Sequence, residues 1–97
     1  MDNRSEIQKE WYEFVKACHE KIKKAATGHT ILKVSYEDKK GMISTRHIEP
    51  YSFSEKGDLY AFCKEKNGIR QFKLQQFKSI ENTNINFSPK YEIKIKP

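Results

Sequence analysis

The stretch ILKVSYEDKKGMISTRHIEP, residues 31–50, carries the pattern that decides the fold. Apolar and polar residues alternate at its start, and this period of two is typical of a strand with one buried face. The buried face would carry Leu32, Val34 and Tyr36. The sequence EDKKG (37–41) predicts a turn, and a second extended run follows from Met42 to Phe53, in which Pro50 marks an edge or a bend. We therefore predict a strand–turn–strand unit at the centre of the chain.

Further short extended segments follow towards the C-terminus. Residues 59–63 are apolar on both faces, which suits the most enclosed strand. Asn67-Gly68 is a strong hairpin signal because both residue types tolerate positive φ. Later strands are predicted at 69–73, 79–84 and 91–96, the last as an edge strand whose outward lysines discourage aggregation. Short strands joined by tight turns indicate a small barrel or a strongly bent sheet.

A helix is predicted before the strands, over residues 5–27. Apolar residues recur there in steps of three and four and so form one stripe, while charged residues cover the other side. Gly28 can take the left-handed conformation that ends a helix. At 97 residues the chain fits one α+β domain, with the helix in 1–29 and the strands in 30–97. The stripe consists of Ile7, Trp11, Phe14, Val15, Cys18, Ile22, Ala25 and Ala26.

The charge of the chain is concentrated near its C-terminus. The formal net charge is +6, and residues 64–97 hold eight basic against three acidic side chains. This excess either attracts polyanions or forms a solvated, solubilising surface, and the sequence leaves both interpretations open. No secretory signal is visible, and no apolar run approaches the ~20 residues of a membrane span. Two cysteines in such a chain indicate reduced thiols, so we expect a cytoplasmic protein.

Sequence motifs of enzymes and metal sites are missing. The chain has no P-loop, no G-x-G-x-x-G and no G-x-S-x-G. Its two cysteines and three histidines do not have the spacing of a zinc site. We therefore expect no catalytic residues, no metal and no cofactor.

Three segments together resemble the WYL domain family, over Ile31 to about Phe87. RHIEP (46–50) is similar to the family's R-x-(V/I)-x-P signature, and DLYAF (58–62) lies at the position of the Trp-Tyr-Leu tripeptide. IRQFKL (69–74) resembles its R-x-F-x-L strand. Two positions depart from the family: the tripeptide reads Leu-Tyr-Ala here, and Gln76 stands where many members have an arginine.

The resemblance implies a fold and a role. The fold would be a five- to six-stranded antiparallel SH3/Sm-like β-barrel after the N-terminal helix. Family members are sensor modules of bacterial regulators, thought to bind nucleic acid or nucleotide-like ligands in a basic groove. The expected function is therefore a regulatory module that binds such an anion, in transcription regulation or phage defence, and that acts through a protein partner.

Candidate ligand-binding residues follow from strand parity and from the resemblance. Arg46 shares parity with Ile48, and Arg70 with Phe72, so each guanidinium must either reach a rim or meet an anion such as phosphate. The alternative is a carboxylate partner such as Glu49, or stacking on a tyrosine. The remaining candidates, each of which can instead be a packed or solvated residue, are Tyr60, His47, Lys73 and Lys78.

The rival hypothesis is a protein-interaction or dimerisation module without a ligand. Its surface would be the apolar stripe of the helix, which a second copy covers most simply. Trp11 can alternatively anchor the helix to the barrel. The predicted interface residues are Trp11, Phe14, Val15 and Ile22.

Overall fold

The computed structural model describes the backbone of residues 4–96 and the side chains of residues 9, 10 and 12–96. One helix precedes five strands, and a short 3-10 helix, Leu74–Gln76, connects the last two strands. The elements are α1 (Arg4–Gly28), β1 (Thr30–Glu37), β2 (Ile43–Phe53), β3 (Leu59–Cys63), β4 (Gly68–Phe72) and β5 (Phe77–Asn86). All paired strands are antiparallel, in the order β4-β3-β2-β1-β5. The predicted α+β class is confirmed.

The main hydrophobic core lies between α1 and one face of the sheet, here called the inner face. The C-terminal half of the helix contributes Ile22, Ala25 and Ala26, all fully buried against inner-face residues such as Leu32 and Ile48. This burial explains why the apolar stripe has helical spacing and why β1 alternates with a period of two. No helix among the described residues is both long and apolar enough to cross a membrane.

A second, smaller cluster covers the opposite, outer face. It contains Ile31, Tyr51 and Phe87, with Ile93 packed against both clusters. Phe87 and Ile93 belong to residues 87–96, which we call the C-terminal strap. The strap therefore covers part of the outer face, where the sheet has no helix.

The predicted barrel and the predicted strand at 91–96 differ from the structure. The sheet is open, with β4 and β5 at its two ends, so a closed barrel is not confirmed. The strap contains no strand, and the prediction of an edge strand there is wrong. Its backbone contact with the sheet is the bond from the Lys94 N–H to the Tyr51 carbonyl (2.8 Å). Tyr51 is the extra residue of a β-bulge between Pro50 and Ser52, which leaves its carbonyl free for this contact.

The positive φ predicted for Gly28 and Gly68 is also absent from the structure. The left-handed residue after α1 is His29 (φ 53°), not Gly28, which remains helical. The His29 carbonyl accepts the N–H of Phe87 (2.9 Å), and this contact helps to offset the cost of positive φ. In the β3–β4 hairpin, Asn67 alone takes positive φ (51°), because Gly68 already begins β4.

Candidate ligand-binding site

Arg46 lies on the inner face of β2, across from Val34, and is partly buried. Its Nε donates to Ser44 Oγ (3.0 Å), and its Nη1 lies 3.5 Å from Cys63 Sγ. None of the ion pairs among the described side chains involves Arg46. Glu49, the carboxylate partner considered from the sequence, binds Lys90 instead. The guanidinium therefore keeps donor capacity for a group outside the chain.

A polar cleft of about 240 Å³ opens beside Tyr36, and we call it the Tyr36 cleft. The Tyr36 hydroxyl donates to Gln76 Oε1 (2.6 Å) and accepts the Lys73 backbone N–H (3.3 Å). Opposite them, Gln71 Nε2 donates to Asp58 Oδ2 (2.8 Å). The residues that line the cleft are Tyr36, Lys39, Asp58, Gln71, Lys73 and Gln76.

The packing and charge around Tyr36 keep its phenol neutral. Phe72 and Phe77 contact its ring edge-on, at centroid distances of 5.1 and 5.4 Å. Burial raises the pKa of Tyr36, and the Asp58 carboxylate adds to the rise, while the Lys73 N–H and the Arg46 charge oppose it. The phenol is thus a fixed hydrogen-bond donor at neutral pH.

The family of the chain follows from comparison with known proteins. The sequence model described as WYL domain matches residues 17–82, more than half of the chain. The chain belongs to the WYL domain family. The resemblance found in the sequence is therefore confirmed, while the strap and the first half of α1 lie outside the matched residues.

A solved structure supports the fold of this WYL domain. Proteasome accessory factor B/C (PafBC) of Arthrobacter aurescens is similar with a TM-score of 0.67 and 23% sequence identity. The match covers 76% of this chain but 12% of PafBC, so the WYL domain described here spans a small part of that protein's length. At this identity the likeness shows the fold alone. No curated protein matches the chain.

Gln76, one of the two departures from the family pattern, lies in the Tyr36 cleft. Its Oε1 is occupied by the Tyr36 hydroxyl, so its amide nitrogen is the group left to donate. Relative to the arginine of many WYL domains, the cleft retains a donor here but loses a fixed charge. The other departure, Ala61, is fully buried on the inner face.

The six predicted ligand residues do not form one groove. Lys73 lines the Tyr36 cleft, and Arg46 lies near enough to act on the pKa of Tyr36. Arg70 is exposed on β4, across from Ala61, and its Nη1 contacts only the Ile69 carbonyl (3.4 Å) among the described residues. The two arginines therefore share no hydrogen-bonding partner.

His47 and Lys78 are each engaged by a carboxylate. The Glu65 carboxylate accepts the His47 backbone N–H (2.7 Å) and also contacts the His47 ring at Nδ1. Burial acts to raise the pKa of Glu65, but the hydrogen bonds from His47 outweigh it and lower that pKa. Lys78 Nζ lies 2.8 Å from Glu37. Neither residue lines the Tyr36 cleft, and their ligand role stays a prediction.

Tyr60 lies on the outer face, in a different cleft of about 370 Å³. Tyr91 and Ile69 line the same cleft, which we call the outer cleft. If Tyr60 stacks on a ligand, it does so at a different site from Arg46. It remains a prediction.

The predicted interface residues of α1 divide along the helix. The side chain of Trp11 lies outside the described residues, so its predicted role stays a prediction. Phe14 is 39% exposed, and Val15 is partly buried against the core. Ile22 is fully buried beneath the sheet, where a partner cannot reach it.

Five residues of the Tyr36 cleft were not predicted as ligand residues from the sequence: Tyr36, Lys39, Asp58, Gln71 and Gln76. Tyr36 followed the apolar alternation of β1 and was interpreted as a core residue. Lys39 and Asp58 belong to two predicted turns, at 37–41 and 54–58, which the sequence does not place together. Their only signal was a polar side chain within a turn.

Proposed function

We propose that this WYL domain is a non-catalytic regulatory module that binds a nucleic-acid or nucleotide-like anion at Arg46 and the Tyr36 cleft. The observation that carries the proposal is the partial burial of Arg46 beside a hydroxyl and a thiol, with no carboxylate partner among the described residues. A partly desolvated guanidinium gains most from a charged acceptor, and its planar fork matches a phosphate.

The Tyr36 cleft supports the same ligand class. Lys39 and Lys73 supply two positive charges against Asp58, whose carboxylate is already engaged by Gln71. The Tyr36 hydroxyl and the Gln76 amide are neutral groups that recognise neutral polar parts of a nucleotide. The cleft therefore combines weak positive charge with specific hydrogen bonding.

The proposed setting is a bacterial cytoplasm, in transcription regulation or phage defence. This follows the family resemblance found in the sequence rather than any contact in the structure. The chain would transmit ligand binding to a protein partner.

The first test is fluorescence anisotropy with short labelled single-stranded DNA and RNA at low and physiological salt. Arg46→Ala should weaken binding at least 10-fold, because a charge-assisted hydrogen bond contributes about 1.5–3 kcal/mol. Lys33→Ala is the matched control, since it removes one positive charge from the exposed outer side of β1. It should change the affinity less than about 2-fold.

Two results would contradict the proposal. If Lys33→Ala weakens binding as much as Arg46→Ala, the attraction is diffuse and Arg46 holds no phosphate. If the wild-type protein binds neither the oligonucleotides at tens of micromolar nor free nucleotides in an Arg46-dependent manner, the proposal is wrong.

A second candidate function rests on the first half of α1. Among the described side chains of α1, burial against the core begins at Val15 and Cys18, whereas Tyr12 is 65% exposed and Phe14 is 39% exposed. Exposed aromatic side chains such as Tyr12 and Phe14 suit a homodimer or a protein partner. This surface can coexist with a ligand site on the sheet.

Analytical ultracentrifugation tests the second candidate. If the stripe is a dimer interface, the wild-type chain should dimerise at tens of micromolar and Phe14→Glu should shift it to monomer, because a buried unpaired charge is unfavourable. Lys16→Glu, an exposed change on the same helix, should leave the dimer intact. A wild-type chain that stays monomeric at several hundred micromolar would rule out the homodimer.

A further inference from the structure

The outer edge of β4 is unpaired among the described residues. β4 is at one end of the strand order and pairs only with β3. In such a strand, every second residue directs its N–H and C=O groups away from the sheet. Ile69 is 37% exposed, and Arg70 and Gln71 are also exposed, so their side chains do not close over this edge. The edge can therefore accept another extended strand.

The charge along this edge is positive. Lys66 and Lys73 flank β4, and Arg70 lies at its centre. The one acid of this segment, Glu65, is engaged by His47. None of the ion pairs among the described residues involves the three cations. Two copies of this edge would repel each other, so its complement is an acidic segment rather than a second copy of the chain.

The outer cleft begins at the same edge. Ile69 belongs both to β4 and to the lining of the outer cleft, together with Tyr60 and Tyr91. Side chains of an added strand would alternate between the two faces of the sheet. Those on the outer face would lie beside Ile69 and the two tyrosines, and those on the inner side would lie beside Arg70.

We propose that the β4 edge binds an extended segment of a partner protein in which apolar or aromatic residues alternate with acidic residues. Backbone hydrogen bonds to β4 hold the segment, and the alternation sets its register: the acids pair with Arg70 and the apolar side chains enter the outer cleft. Tyr91 of this cleft lies outside the residues matched to the WYL family, so the partner is specific to chains that carry this strap. The proposal is independent of a ligand at Arg46.

The test uses a labelled peptide of sequence Glu-Val-Glu-Tyr-Glu-Val and its counterpart with lysine in place of glutamate. Anisotropy should show saturable binding of the acidic peptide and at least 10-fold weaker binding of the basic one. Arg70→Glu should reverse this preference. Lys24→Glu, an equal charge reversal on the exposed side of α1, should leave the preference unchanged.

Backbone pairing is tested separately from charge. The acidic peptide is N-methylated at alternate amide nitrogens, in each of the two possible phases. Methylation in one phase should abolish binding and methylation in the other phase should leave it intact, because only one edge of the peptide pairs with β4. When the unmodified peptide binds, amide hydrogen exchange should slow at those alternate residues of β4 whose N–H groups point away from β3.

The proposal is overturned if Arg70→Glu does not change the peptide preference, or if both N-methylated peptides bind as well as the parent. Peptide binding that is absent while oligo(dT) binds in an Arg70-dependent manner would also overturn it, since the edge is then a polyanion surface. The Arg46 proposal is tested by nucleic-acid binding to the Arg46→Ala variant, and this one by peptide binding to the Arg70→Glu variant. The two proposals can therefore fail independently.

Discussion

At the scale of single residues, Glu49 is the buried charged residue among those that the structure describes. Its exposure is 1%. Lys90 Nζ contacts both of its carboxylate oxygens (3.1 Å each), and the Tyr51 hydroxyl donates to one of them (2.9 Å). The same ammonium lies 4.3 Å from the centre of the Phe62 ring. Burial of Tyr51 and its bond to Glu49 raise the pKa of Tyr51 to about 12, although the Lys90 N–H opposes this rise. One lysine of the strap thus compensates a buried carboxylate.

Lys90→Ala should lower the free energy of unfolding by about 1–2 kcal/mol, because Glu49 then remains buried without its nearest cation. Urea denaturation at pH 7 measures this change. Lys64→Ala is the matched control, since Lys64 Nζ is 3.9 Å from the same carboxylate and should matter less. Adding Glu49→Gln to Lys90→Ala should recover part of the loss. If Lys90→Ala costs no more than Lys64→Ala, Lys90 is not what compensates Glu49.

Strand alternation already separates Arg46 from Glu49, because residues three apart on a strand face opposite sides. The prediction that Arg46 shares the face of Ile48 is correct in the structure, and so Arg46 and Glu49 have different environments. The partners of each residue were not predictable, since Cys63 and Lys90 come from distant parts of the chain. At this scale, the sequence indicates the face and the tertiary structure supplies the neighbour.

At the scale of elements, the strap shows what an alternating pattern can and cannot predict. Ile93 and Ile95 alternate with charged residues, and both are withdrawn from solvent, Ile95 with 6% exposure. The alternation therefore correctly indicated that positions 93 and 95 are withdrawn from solvent, but Tyr91, the first apolar residue of the same pattern, is 52% exposed. The alternation did not indicate a hydrogen-bonded neighbour, and the segment packs as an irregular strap because the sheet offers it the Tyr51 carbonyl at the bulge instead of a strand edge.

Ile95→Ala should lower the free energy of unfolding by about 2 kcal/mol if the strap is part of the core, since it removes buried methylene and methyl groups. Lys96→Ala, at the neighbouring exposed position, should change it by less than about 0.5 kcal/mol. Thermal and urea unfolding measure both variants. Equal stabilities for the two would show that the strap contributes nothing to the core.

At the scale of the whole molecule, the sheet bends so that the end of β4 meets the end of β1. The 3-10 helix after β4 returns the chain to β5, whose first residue, Phe77, pairs with Tyr36. Phe72 and Phe77 then stack at a centroid distance of 5.8 Å. This bend assembles the Tyr36 cleft, and α1 fills the inner face beneath it with Ile22 and its neighbours.

The packed half of the helix should therefore be required for folding. A chain of residues 30–97 should lack a cooperative unfolding transition, because inner-face residues such as Leu32 and Ile48 lose their cover. A chain of residues 13–97 keeps the buried half of α1 and should stay folded. Circular dichroism and the dispersion of amide NMR signals distinguish the two. A dispersed spectrum for 30–97 would make the helix a separate unit.

The sequence by itself determined the helix and the five strands, because periods of 3.6 and two residues report which side of an element is buried. The family followed separately, from the resemblance of three motif segments. The sequence also determined that Arg46 points to the apolar face. Only the tertiary structure decided that the sheet stays open, that residues 91–96 form a strap, and that Tyr36, Asp58 and Gln76 form one cleft. The physical reason is that local patterns carry no information on where a strand bends. The bulge at Tyr51 and the return of β4 to β1 set those distant contacts.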